Sequence, residues 1–198
     1  MRTGLLLLFL TLQLTHSVFA QKVGKSERIL IKDGTRNQAM YVTQTNVAED
    51  LSILRNISSL VKNPSNKIWK VLVSRMLSTV TDSTHRGVGI AAPQVGINRR
   101  IILVQRFDKT DKPFQAIFNP EILFKSDSVW NRTEGCLSIP DVRETVGRPW
   151  QIIVKYQDIN GLFITESVDG FTARIFQHEI DHLNGVLFTD YNPIYIKE

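Results

Sequence analysis

The stretch Gln177-His178-Glu179-Ile180-Asp181-His182 constrains this chain more than any other. It reads as HExxH on a helix. The two histidines stand four positions apart, so at roughly 3.6 residues per turn their rings share one face. Two neutral imidazoles on one helix face can grip a transition metal. Glu179, one step round from His178, can reach a water on that metal and take its proton. The competing reading is a helix that carries two histidines by chance, since HExxH also occurs in unrelated sequences.

A catalytic metal site commonly takes three protein ligands and leaves one position open. HExxH supplies two. The other candidates are His16, His85 and the single cysteine, Cys136. His16 lies in a stretch expected to be removed, and His85 sits in a polar loop. A lone cysteine forms no intrachain disulfide and is usually a small buried hydrophobe. Here it is also a candidate third ligand. The 198 residues fit one domain able to bury a core, and 42% hydrophobic with 22% charged residues is a globular composition. The net charge of +5 comes from scattered Lys and Arg, with no run that resembles a nucleic-acid-binding arm.

The N-terminus has the order of a secretory signal. Arg2 is followed by an apolar run from Leu5 to Leu14, then by Val18-Phe19-Ala20 as a cleavage site. The run is short for a bilayer-spanning helix, and the alternative is a buried first helix. The expected division is a signal peptide over 1–20 and one domain over 21–198. If the signal is used, the protein is exported, periplasmic or secreted; otherwise it is cytoplasmic or organellar. No other segment is long and apolar enough to be transmembrane.

Residues 21–66 have a weak pattern. Ile29-Leu30-Ile31 predicts a short strand, Asp33-Gly34 a turn, and Leu51 to Leu60 one or two helical turns. Asn63 as cap, Pro64 at the first position and Ile68, Leu72, Met76 and Val80 at i+4 predict a helix. Gly87 to Gly96 is rich in small residues, so a backbone or a ligand can approach closely. It lacks the Lys-Ser/Thr of a phosphate-binding loop, and Gln94 stands out among its apolar neighbours. Strands are predicted at Arg100–Val104, at Phe114–Asn119 with a stop at Asn119-Pro120, and at Ile122–Phe124. Gln151–Tyr156 and Leu162–Val168 read as a hairpin about Asn160-Gly161. Asp169 caps the HExxH helix, Gly185 ends it, and Leu187 and Phe188 pack back on the sheet.

Three short stretches, in order, resemble the signatures of the peptide deformylases. They are Gly87-Val88-Gly89-Ile90-Ala91-Ala92-Pro93-Gln94, Glu134-Gly135-Cys136-Leu137-Ser138 and Gln177 to His182. Arg143, Arg148, Ala173-Arg174 and Leu183-Asn184-Gly185 match as well, so the likeness spans about residues 76–191. The resemblance implies an α+β fold with antiparallel sheets packed around a central HExxH-bearing helix. It implies a metal held by Cys136, His178 and His182, and removal of the formyl group from N-formylmethionyl peptides, as in N-terminal methionine processing during protein biosynthesis. Fe²⁺ is the expected ion, with Zn²⁺, Ni²⁺ or Co²⁺ able to replace it. Glu179 is implied as general base, and Gln94 with the Leu137 N–H as oxyanion donors. Val88 and Gly89 would pair with the peptide backbone, Arg143 would reach a substrate carbonyl, and Phe171 and Ile175 would border the methionine pocket. Glu134 and Arg148 are expected to orient the Cys136 loop. The expected state is a monomer with a formyl-peptide substrate and no nucleic-acid partner. Residues 21–66 depart from the family pattern, and a secretory signal sits badly with work on nascent chains. Two other readings stay open: a zinc-type metallopeptidase or amidase with another substrate, and a retired enzyme that binds formyl peptides.

Overall fold

The computed structural model describes residues 22–84 and 86–191. The expected signal peptide lies outside these residues. Among the described residues seven strands build two antiparallel sheets. The larger contains β1 (Gly89–Ala91), β2 (Ile101–Gln105), β3 (Phe114–Lys125), β6 (Gln151–Gln157) and β7 (Phe163–Asp169), in the order β1-β2-β3-β6-β7. The smaller is a ribbon of β4 (Val129–Cys136) and β5 (Ile139–Pro149). The helices are α1 (Lys25–Lys32), α2 (Ala48–Leu54), α3 (Lys67–Val80) and α4 (Gly170–Leu183). Among the described residues no helix is long and apolar enough to cross a membrane.

Strand β2 explains the layering. Its first four residues are all buried. Because side chains alternate along a strand, Ile101 and Leu103 face one layer and Ile102 and Val104 the other. The first layer is completed by Ile68, Leu72, Met76 and Val80 of α3. The second is completed by Ala173, Phe176, Ile180 and Leu183 of α4, the face expected from the helical period. The ribbon has its own small core, in which Ile139 and Val146 meet Leu187 and Phe188. The tail therefore packs on the ribbon and ties it to the end of α4.

Several local expectations are corrected. Ile29-Leu30-Ile31 lies in α1, not in a strand. Glu27 turns back to accept the Gly24 N–H, Arg75 donates to the Leu30 and Ile31 carbonyls, and Arg99 pairs with Glu27 at 2.6 Å. Those side chains complete the ends of a helix too short to persist alone. Helix α3 starts later than its predicted cap, at Asn66, whose side chain accepts the Ile68 N–H. Asn63 instead closes a turn with Ser65. The predicted break at Asn119-Pro120 is a bulge inside one long β3. Asn119 takes φ 52°, and its amide bonds both to the Val61 backbone and to Gln157, replacing the ladder that Pro120 cannot complete.

Candidate metal centre

Helix α4 starts on a tight corner. Gly170 has φ 55°, donates its N–H to the Trp150 carbonyl, and lies against the Trp150 ring. The four-residue spacing then brings the His178 and His182 rings to a centroid distance of 5.1 Å. Opposite them, the β4–β5 ladder has a register irregularity between Glu134 and Cys136, just before its last pair, Cys136 with Ile139. It carries Cys136 Sγ to 3.2 Å from His182 Nε2. The three ligand atoms lie within 4.8 Å of one another.

This donor set fits a divalent ion. Ligand bonds of about 2.0–2.3 Å imply tetrahedral edges of roughly 3.3–3.7 Å. One thiolate with two imidazoles suits a borderline metal. A second observation agrees: Glu179 Oε2 is buried beside the cluster and has no hydrogen-bond partner among the described residues. Burial pushes that carboxyl up to about 7, against the pull of His178 and Arg148. His178 is held at about 10, because hydrogen bonds with Cys136 and Glu134 outweigh its burial. The proton these acceptors keep on it is one that a cation displaces on binding. Burial and the neighbouring His178 charge push His182 well below the usual histidine range.

Beneath the cluster lies a network that sequence reasoning placed only in part. Glu134 accepts from Arg148 Nε at 2.6 Å and Nη2 at 2.9 Å, from Arg174 Nη1, and from His178 Nδ1 at 2.9 Å. It thereby orients a histidine directly, as well as the Cys136 strand. Burial opposes its charge, but the His178 and Arg148 bonds win and hold it near about 2. Arg148 continues to Asp181 at 2.8 Å, which also accepts from Tyr191 at 2.9 Å. Asp181 and Arg174 were not assigned roles from sequence. The available signal was their spacing, since 174, 178 and 181 share one face of α4.

Gln94 sits in a 3-10 turn, Ala92–Val95, directly after β1. Its Oε1 accepts the Ala91 N–H at 2.8 Å, which aims Nε2 at Cys136 Sγ and Ser138 Oγ, both at 3.3 Å. The segment after Met40 holds both walls. Thr43 bonds to the Gln94 and Pro93 carbonyls, Gln44 Nε2 to the Leu137 carbonyl, and Thr45 N–H to Ser138 O. Gly89 has a definite steric reason: a Cβ there would collide with Glu179 Oε1 and come within 2.7 Å of Ile175 Cγ2.

These groups open into a cleft of about 700 Å³. Val88 and Gly89 form one wall, Cys136, Leu137 and Arg143 the other, and Phe171, Ile175, His178 and Glu179 the α4 side, with Gln94 between. Every sequence-predicted site residue therefore lines this cleft except His182, which is 1% exposed and lies behind Cys136.

An HExxH helix facing a cysteine across an open cleft defines a hydrolase built on a Cys–His–His donor set. The family model described as polypeptide deformylase matches residues 42–194, so the segment from residue 42, expected to depart from the family pattern, lies within the match. A peptide deformylase of Prochlorococcus marinus (strain NATL1A) is 43% identical over 137 residues, covering 66% of this chain and 67% of that protein. The crystal structure of peptide deformylase from Thermotoga maritima superposes with TM-score 0.68 at 37% identity, over 78% of this chain and 98% of that one. A Met-Ala-Ser-bound class I type b peptide deformylase from Acinetobacter baumannii gives 0.67 at 37%, over 78% and 99%. This chain belongs to the polypeptide deformylase family.

Proposed function

We propose that this cleft removes the formyl group from N-formylmethionyl peptides, releasing formate and a free amine. The observation that carries the reading is a buried Glu179 beside the Cys136–His178–His182 cluster, at the foot of a glycine-walled edge strand. When bound, a divalent ion supplies Lewis acidity that makes water a nucleophile near neutral pH and polarises a carbonyl. Fe²⁺ is the proposed ion, and Zn²⁺, Ni²⁺ and Co²⁺ satisfy the same donors.

The remaining steps belong to the chain. Glu179 takes the proton of the attacking water and passes it to the leaving amine. Its elevated pKa matches a group that must do both near neutral pH. Gln94 Nε2 and the Leu137 N–H receive the negative charge that develops on the formyl oxygen. Among the described residues strand β1 is the edge of its sheet. Val88 O already accepts from Gln105 N–H, so in an antiparallel pair the Gly89 N–H and C=O point outward, toward a peptide. Phe171 and Ile175 flank the methionine side chain, and Arg143 reaches a substrate carbonyl. In this reading α4 is the central element, because one helix carries two ligands, the base and the pocket wall.

Formate release from formyl-Met-Ala-Ser by the metal-loaded protein tests the activity. Cleavage of casein without formate would favour a peptidase instead. Glu179→Ala should retain bound metal and lose turnover by about 10²-fold or more. Loss of the metal in that variant would place Glu179 among the ligands. Residues 21–198 form, in the same proposal, one monomeric catalytic unit, with residues 1–20 as an export signal. N-terminal sequencing after cell fractionation should then find a start near Gln21 in the exported fraction.

A further inference from the structure

The direction of the edge strand locates the far end of the substrate. Strand β1 runs from Gly89 toward Gln94, whose amide touches Cys136 Sγ at 3.3 Å. The formyl group must lie at that metal-side end, beside Glu179. A peptide laid antiparallel on β1 then runs backward past Gly89, Val88 and Gly87, at about 3.3 Å per residue. It leaves the cleft beside Arg86. On the opposite wall Arg143 lies over Gly135, with Cγ 3.7 Å and Cζ 3.8 Å from where a Gly135 Cβ would sit.

Arg86 and Arg143 both line this cleft and both are exposed. Neither guanidinium makes a hydrogen bond or ion pair among the described residues. The other charges on the walls are differently placed. Glu134 and Arg174 are committed to each other, Glu179 is buried at the foot of the cleft, and among the described residues Asp141 is the one exposed acid lining it. The cleft thus carries two exposed guanidiniums with no partner among the described residues, Arg86 where β1 begins and Arg143 over Gly135, against one exposed carboxylate. Guanidinium forks bind carboxylates in two parallel hydrogen bonds.

We propose that the exit of the cleft is a carboxylate-recognition subsite formed by Arg86 and Arg143. Its ligand is a carboxylate about two or three residues beyond the formyl group. That carboxylate is either the C-terminus of a short formyl peptide or an acidic side chain. The inference rests on the deformylation reading above.

The test compares formyl-Met-Ala-Ser as free acid, its C-terminal amide, and formyl-Met-Ala-Glu amide, on the metal-loaded full chain. The acid should exceed the amide in kcat/KM by about tenfold, mostly through KM, since one charge-assisted contact is at stake. The advantage should shrink as salt rises, because both arginines face solvent. Recovery with the Glu amide shows that a side chain serves; no recovery assigns the subsite to the C-terminus. Arg86→Gln should bring the acid-to-amide ratio close to one, and Arg86→Glu should take it below one. The product Met-Ala-Ser should bind more tightly than its amide, with the same dependence on Arg86. Equal kcat/KM for all three substrates in the unaltered protein would overturn the subsite and leave deformylation standing. Formate from none of them would overturn the activity itself.

Discussion

Two buried arginine–carboxylate clusters flank α4, and they are built in opposite ways. On the sheet side, Arg106 is fully buried, pairs with Asp108 at 2.6 Å and Glu166 at 2.7 Å, and lies over the Phe176 ring. One cation there is shared by two carboxylates, with Lys109 at 3.7 and 3.8 Å outside. Under the metal centre the arrangement is inverted. One carboxylate, Glu134, is shared by Arg148, Arg174 and His178. Counting Asp181, two carboxylates there balance two guanidiniums. Hydrogen bonds with Cys136 and Glu134 keep a further proton on His178, and a bound cation would displace it, because neutral imidazole is the ligating form. The first cluster holds a helix against a sheet. The second fixes which nitrogen of a histidine faces the cleft.

Breaking the second cluster should cost most. Glu134→Ala leaves Arg148 and Arg174 without their shared partner, and stability should fall by about 3–5 kcal/mol, read by denaturant unfolding. Glu134→Gln should preserve shape yet weaken metal affinity about 10–100-fold, read by metal analysis after competition with a chelator. Unchanged affinity would reduce Glu134 to a structural ion-pair partner. Gly89→Ala should come next. The added methyl forces Glu179 and Ile175 aside, with about 1–3 kcal/mol of overpacking and a fall in kcat with metal content retained.

Breaking the first cluster should cost less and leave the site alone. Glu166→Ala removes an acceptor from Tyr156 and Arg106, but Asp108 still holds Arg106. A loss of about 1–2 kcal/mol is expected, with metal affinity unchanged. The smallest effect is on acid stability. The Arg106 hydrogen bond, chiefly, holds Asp108 down at about 2. A depressed carboxyl contributes fully above its unfolded value, near about 4, and loses that contribution as pH falls toward 2. The melting temperature of Asp108→Asn should therefore fall less steeply than that of the unaltered chain across that window. Parallel curves would remove Asp108 from the cluster's energetics.

Local signals carried the reading of the site a long way. The i, i+4 spacing of His178 and His182 is a property of any helix, so their shared face was legible before any fold was known. The isolated polarity of Gln94 among small apolar residues marked it in the same way. Where the signal was weak, the reading failed for identifiable reasons. Ile29 to Ile31 looks like a strand because its helix is held by Arg75 and Arg99, which lie far along the chain. Asn119-Pro120 looks like a stop because the bonds that carry β3 through it come from Val61 and Gln157.

By itself, then, the sequence determined an HExxH helix, a single cysteine and a glycine-rich strand, because each is set by spacing or by residue type within a few positions. Only the tertiary structure decided that Cys136 meets His182 at 3.2 Å and that Glu134 fixes the His178 ring. It also decided that Gly89 is small to make room for Glu179. Each of those contacts joins residues more than 40 positions apart. Such closures depend on how two sheets and a helix pack together, and no local pattern encodes that packing.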